Sequence, residues 1–362
     1  MMLIRTSSNT SLMANIITVE HPFEEGDLLE EYPDFQEQIY VDNYPFEQMP
    51  TRQFRHQDLM TDQGHSTYLT ILAKDNDMMV GRAIIVQNND GNADRVFIRI
   101  DVPKQYRHRG YGRQLAAAAK QQCIQRQITI YETAARSHTK NRQSFTRTRE
   151  MLEQVKIKQT NVEKKSRLYQ DQLDIAMIRQ WNRKTKEKLP EIEILAYTKQ
   201  QYRERILEDD QFAAKAVAYY NEVTKLVPQG DSSRKIKDDT VEQVRQQLQQ
   251  QAKNNWDNYV IFALIDDNII GSTLVYFPQG KLIQVNTGLT AVRKQWWGRS
   301  IASYLKTEMI LNLCEKGFDH LDTENAENNA AILHINQKLG FEEIYQWYFF
   351  EGMVADLPDA IR

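Results

Sequence analysis

Two stretches of the chain carry the same alternation of apolar and polar positions. Ile71 to Val86 (ILAKDNDMMVGRAIIV) and Ile261 to Tyr276 (IFALIDDNIIGSTLVY) each read as a β-rich run, a polar turn holding Asp and Asn, and a second β-rich run with Gly near its start. That pattern predicts a hairpin in each. The spacing then holds without a gap. Ala73 matches Ala263, Gly81 matches Gly271, Val102 matches Val292, Leu115 matches Leu305 and Thr133 matches Thr323, every pair 190 residues apart. Five matches in one register argue that the chain duplicates a single unit.

Each copy continues as a third strand (Arg95 to Val102; Leu282 to Val292), a basic loop, a helix (Arg113 to Cys123; Arg299 to Glu315) and a further strand (Ile128 to Tyr131; Phe318 to Leu321). Antiparallel strands followed by a strand–helix–strand unit predict an α/β fold of the α+β kind, in which a mostly antiparallel mixed sheet is flanked by helices. Between the copies, Leu168 to Arg183 ends a strand and begins an amphipathic helix. Leu173, Ile175, Met177, Ile178 and Trp181 form its apolar stripe. The expected organisation is therefore an N-terminal domain over 1–170, a linker helix over 171–190 and a C-terminal domain over 191–362. Asp239 to Lys253 reads as a surface helix docked through Val241, Val244 and Leu248.

Composition narrows the function classes. The chain has 362 residues, enough for two domains that each bury a core. Lys and Arg (46) nearly balance Asp and Glu (49), giving a net charge of −3, which argues against general affinity for nucleic acid or an anionic membrane. The basic run His138 to Arg149 is the one local feature in favour of nucleic acid. No run approaches the ~18 apolar residues of a membrane span. The two cysteines, Cys123 and Cys314, have no metal-ligand spacing, so no metal is expected, and a reducing cytoplasm fits best.

The basic loop carries the candidate chemistry. The first copy reads Val102-Pro-Lys-Gln-Tyr-Arg107-His108-Arg109-Gly110-Tyr111-Gly112-Arg113. A loop between a strand end and a helix N-terminus gathers unpaired amides and the positive end of the helix dipole, which favours an anion. Gly110 and Gly112 allow close main-chain approach, and Lys104, Arg107, Arg109 and Arg113 supply countercharge. Arg107-x-x-Gly110-x-Gly112 resembles the acyl-CoA pyrophosphate loop, R/Q-x-x-G-x-G/A, of the GNAT superfamily of N-acyltransferases. The second copy, Val292 to Ala302, keeps the register through Gly298 and Arg299. It has Trp297 where the family has Arg or Gln, and Ser300 in place of the central Gly, while Ala302 stays within the pattern. Backbone amides remain available there, with Trp297 placed to fill part of the groove.

Further on, Thr323-Glu-Asn325-Ala-Glu-Asn328-Asn329, then Ile335-Asn336-Gln-Lys-Leu339-Gly340-Phe341, is similar to the T-x-N-x-x-x-N…N-x-x-L-G-F signature of tandem GNAT proteins. Single-domain members often carry a Tyr four residues before that Gly, where it protonates the departing thiolate; this chain has Asn336. The first copy, at Thr139 to Glu150, loses the second half of the signature. The resemblance covers roughly residues 16 to 355. It implies two tandem GNAT-like domains, acetyl-CoA as acyl donor and an amine as acceptor. It also implies cofactor contacts from Val102, Arg107, His108, Arg109, Gly110, Tyr111, Gly112 and Arg113, and from Val292, Gly298, Arg299, Ser300, Ala302 and Asn329. The reaction needs a base for the ammonium, donors for the carbonyl oxygen and an acid for the thiolate. Tyr345 and Tyr348 are the acid candidates, set against a role as core aromatics. Asp322 and Glu324 are the base candidates, with Asp101 as a third, set against surface carboxylates. Two readings stand at this point: an N-acetyltransferase, and an acyl-CoA-binding or sensing protein that no longer turns over.

Overall fold

In both copies the hairpin is built by two acidic or amide residues at its tip. The computed structural model describes residues 14–24, 26–43, 49–60, 66–88, 91–138, 157–251, 256–279 and 284–359. Strands β2 (Ser66–Asp75) and β3 (Met78–Asn88) turn at Asn76 and Asp77, and β8 (Trp256–Ile265) and β9 (Asn268–Pro278) turn at Asp266 and Asp267; all four have positive φ. Two-residue turns of that geometry match the twist of antiparallel strands, and Asn and Asp tolerate them. The registers coincide: Ala73 faces Gly81 and Ala263 faces Gly271, each followed by a bulge. A helix leucine packs directly over each glycine: a Cβ on Gly81 would lie 2.8 Å from Leu115 Cδ1, and one on Gly271 3.0 Å from Leu305 Cδ1.

Among the described residues the remaining elements follow a similar, not identical, order in the two halves. The N-terminal lobe has β1 (Asn15–Glu20), α1 (Asp27–Asn43), α2 (Arg52–Leu59), β2, β3, β4 (Arg95–Asp101), α3 (Tyr111–Gln125), β5 (Ile130–His138) and β6 (Lys158–Tyr169). After α4 (Ile175–Lys188) come β7 (Glu193–Thr198), α5 (Lys199–Glu208), α6 (Asp210–Thr224), α7 (Val241–Gln251), β8, β9, β10 (Gln284–Val292), α8 (Ile301–Lys316), β11 (His320–Ala326), α9 (Ala330–Leu339) and β12 (Glu342–Met353). No helix among the described residues is long and apolar enough to cross a membrane.

The twelve strands among the described residues form one mixed sheet in the order β1-β2-β3-β4-β5-β12-β6-β11-β10-β9-β8-β7. The last strand of each half lies beside the other half. β12 pairs with β5 from Tyr345↔His138 to Met353↔Ile130, and β6 pairs with β11 from His320↔Tyr169 to Ala326↔Glu163. β6 and β12 pair with each other at the centre. Helices cover both faces. In the C-terminal lobe α4, α8 and the end of α9 share one core with Leu168, Val285 and Leu321, while α5 and α6 cover the other face over Val260, Phe262 and Leu264. Helix α4, within the stretch read as a linker, docks on α8: Ile178 is fully buried, and Asn182 Nδ2 donates to Thr307 Oγ1 at 3.2 Å.

The connector between α6 and α7 crosses the middle of the sheet to the N-terminal lobe. Asp231 N donates to Thr160 O at 2.7 Å, Arg234 pairs with Glu132 at 2.6 Å, and Lys235 N donates to Asn92 Oδ1 at 2.9 Å. Arg95, buried among Glu132, Glu351 and the hydroxyl of Ser233, anchors it.

Candidate functional site

Each lobe opens its sheet at one place. β4 and β5 run parallel but pair only from Arg95↔Ile130 to Phe97↔Glu132, and β10 and β11 only from Gln284↔His320 to Asn286↔Asp322. Beyond those pairs the strands separate, leaving main-chain groups along each V without a ladder partner in that direction. The basic loops stand at the ends of β4 and β10, beside these openings.

The two loops have the same backbone. A single 3-10 turn (Lys104–Tyr106; Lys294–Trp296) leads to positive φ at His108 and at Gly298, and then at Gly110 (φ 88°) and Ser300 (φ 64°), which precede α3 and α8. Neither helix start has a side-chain cap, whereas Thr51, Asp174, Thr198, Asp209 and Asn329 cap α2, α4, α5, α6 and α9. Uncapped amides in an exposed turn are the donors that a diphosphate takes.

Side chains repeat too. Arg107 Nε donates to Val102 O at 2.9 Å, and Trp297 Nε1 donates to Val292 O at 2.7 Å, so the indole reproduces the guanidinium's loop-bracing bond. Arg109 lies over the Tyr106 ring and Arg299 over that of Trp296. Gly112, Arg113 and Ala302 occupy the first turns of α3 and α8, and Tyr111 is buried with its hydroxyl on Asp75. Trp297 remains 55% exposed. Asn329 caps α9 through Ile332 N at 3.4 Å, in a different element from either loop.

The acid and base candidates separate. Asp322 is buried between Arg167 (Nε to Oδ1 2.7 Å, Nη2 to Oδ2 2.9 Å) and Lys165 (3.5 Å), with Gln284 Nε2 also donating to it at 3.3 Å. A carboxylate so enclosed serves as an ion-pair partner. Glu324 lies at the lip of the C-terminal opening and is held by Lys165 at 3.0 Å. Tyr345 is fully buried, its ring beneath Arg136 (4.8 Å) and beside Lys165 (5.7 Å), while Tyr348 donates to Gln346 Oε1 at 2.8 Å. Asp101 is enclosed by Arg82 and Arg99; burial opposes its charge, but these two guanidiniums hold its carboxyl below the ordinary range. Asn336 Nδ2 donates to Asn325 Oδ1 at 2.7 Å. The run Thr139 to Glu150 lies outside the described residues.

Sequence reading missed the charged strand β6. Glu163, Lys165 and Arg167 alternate along it and share a face with Asp322 and Glu324, opposite Leu168. In the sequence they sit in a stretch (NVEKKSRLY) whose only legible signal is its charge, and its partner strands lie more than 150 residues away.

Part of the sequence carries a family match. Residues 30–148 match the Acetyltransferase (GNAT) family. That match lies in the N-terminal lobe, and over both lobes the chain has the tandem GNAT fold. Its fold is shared with a tandem GNAT protein from the clavulanic acid biosynthesis pathway, at TM-score 0.72 and 15% identity over 94% of this chain and 99% of that one. A GCN5-related N-acetyltransferase from Sphaerobacter thermophilus superposes at TM-score 0.61 with 14% identity, over 94% and 96% of the two chains. The glucosamine N-acetyltransferase region of a fungal multi-domain GH3 β-N-acetylglucosaminidase superposes at 0.64 with 10% identity, over 94% of this chain and 38% of that one. No curated protein matches the sequence. The GNAT fold supports an acyl-CoA-dependent acyltransferase, and acetyl-CoA is the substrate that the family uses.

Proposed function

We propose that this GNAT protein transfers an acetyl group from acetyl-CoA to the amine of a small molecule or peptide, that turnover takes place in the C-terminal lobe, and that the N-terminal lobe holds CoA for structure or regulation. One observation carries the choice of lobe. β10 is bulged against β9 between Thr287 and Thr290, at the opening beyond Asn286, whereas β4 keeps an unbroken register with β3 from Arg82↔Asp101 to Val86↔Phe97. A bulge takes a main-chain N–H out of the ladder, and such a donor suits the oxygen of a thioester under attack. The diphosphate would lie on the amides that start α3 and α8, with Arg107, Arg109 and Arg113, or Arg299, beside it. The amine attacks the thioester carbon, the C–S bond breaks, and the CoA thiolate takes a proton.

The presence of Asn336 where a phenol often stands favours a second reading, an acyl-CoA-binding protein without turnover. Two variants test both. Gly110→Glu and Ser300→Glu each bring a carboxylate to one diphosphate site. Calorimetric titration with CoA is expected to lose one class of site in each. Thiol release with acetyl-CoA and a panel of primary amines is expected to fall only in Ser300→Glu. Loss of turnover only in Gly110→Glu moves the chemistry to the N-terminal lobe. CoA binding without thiol release in the wild type favours the second reading.

A further inference from the structure

Behind β11, which borders the C-terminal lobe's opening, the next strand of the sheet belongs to the other half of the chain. At Ala326, β11 has left β10, and its neighbour on the other side is Glu163 of β6. Glu163 is half-buried, accepts a hydrogen bond from Asn161 Nδ2 at 3.1 Å, and forms no ion pair among the described residues. Glu324, on the same face, is held by Lys165 and is 40% exposed at its side chain. The two carboxylates thus differ in surroundings: one is paired and open to water, the other is withdrawn and has an amide for company. Two acidic groups kept apart in this way divide the labour between binding a cation and taking its proton.

We propose that Glu163 is the base that deprotonates the acceptor's ammonium group in the C-terminal lobe, with Glu324 as the charge that draws that ammonium to the opening. This rests on the acetyltransferase reading above. The proton passes from the R–NH3+ nitrogen to a Glu163 carboxylate oxygen. The freed lone pair forms the C–N bond as the C–S bond breaks, the thiolate takes the amine's second proton, and Glu163 returns its own proton to water. Burial, with the charge of Glu324 added, pushes the Glu163 carboxyl up to about 7, where a base is half ready at neutral pH. Other charged groups on this face are Lys165 and Arg167 of β6, Asp322 of β11, Arg136 of β5 and, further along, Glu132 of β5 and Glu351 of β12, both held by Arg95. The phenols of Tyr345 on β12 and Tyr276 on β9 complete it.

The test joins a stability readout to a kinetic one. Glu163 titrates higher in the folded chain than in the unfolded one, so its charge opposes folding increasingly from about pH 4.5 to about 7, and fully above that. Glu163→Gln keeps the acceptor oxygen for Asn161. Its Tm is expected to equal the wild type's at pH 5 and to exceed it at pH 8. Its kcat with acetyl-CoA and the amine panel is expected to fall about 100-fold or more, and its CoA affinity to stay unchanged. The acid limb of the wild-type kcat/KM profile is expected near pH 7, moving to lower pH in Glu324→Gln and partly retained in Glu163→Asp. A Glu163→Gln variant that is less stable at pH 8, or that turns over at the wild-type rate, overturns the proposal. Failure of the wild type to bind CoA, or to release thiol with any amine, overturns instead the acetyltransferase reading on which it rests.

Discussion

Ser300 shows how a single position can depart from a motif and keep its purpose. It holds φ 64°, the left-handed conformation that Gly110 holds in the other lobe, so the amides after it keep the same arrangement. A side chain in that conformation costs roughly 1–2 kcal/mol. Ser300→Gly is therefore expected to stabilise the protein by about 1 kcal/mol and to leave CoA binding intact, as thermal melts and calorimetry would show; a loss of affinity would mean that the hydroxyl itself holds the ligand. Trp297 is the parallel case. Its indole N–H makes the bond to Val292 O that Arg107 makes to Val102 O, so the loop keeps its shape while losing a positive charge.

At the scale of elements, the connector between α6 and α7 is the least regular and most consequential segment. It has no helix or strand of its own between Lys225 and Thr240, yet its polar groups bond to β4, β5, β6 and β12. Gly230 makes the crossing possible: it has φ 60°, and a Cβ there would lie 2.1 Å from Thr160 O. Gly230→Ala is expected to destabilise the fold by about 2 kcal/mol or more, since a backbone carbonyl cannot turn aside as a side chain can. Chemical denaturation measures this, and an unchanged midpoint would contradict the close approach.

At the scale of the whole molecule, the exchange of β6 and β12 ties the halves together. Each half completes its sheet with the other's last strand, so neither core closes alone. Calorimetry is expected to show one cooperative unfolding transition, with calorimetric and van't Hoff enthalpies in agreement. Two resolved transitions would mean that the lobes are independent units.

What the sequence determined by itself is whatever short range decides. The hairpins follow from the Asn-Asp and Asp-Asp pairs at their tips, the loops from their glycines, and the repeat from a constant spacing of 190 that the structure reproduces down to the bulge after Ala73 and Ala263. Helices α3 and α8 lie within two residues of the expected starts, because strand end, loop and helix former are local signals. β5 runs on to His138 and β11 to Ala326, past their apolar starts, since strand length depends on a partner the pattern does not name. Tertiary structure alone decided that the partner comes from the opposite half, that Asp322 is enclosed by Arg167, and that Glu163 stands one strand in from the C-terminal opening. Pairing of residues more than 150 positions apart leaves no periodic mark on either stretch, and a carboxylate's role follows from the charges and water around it.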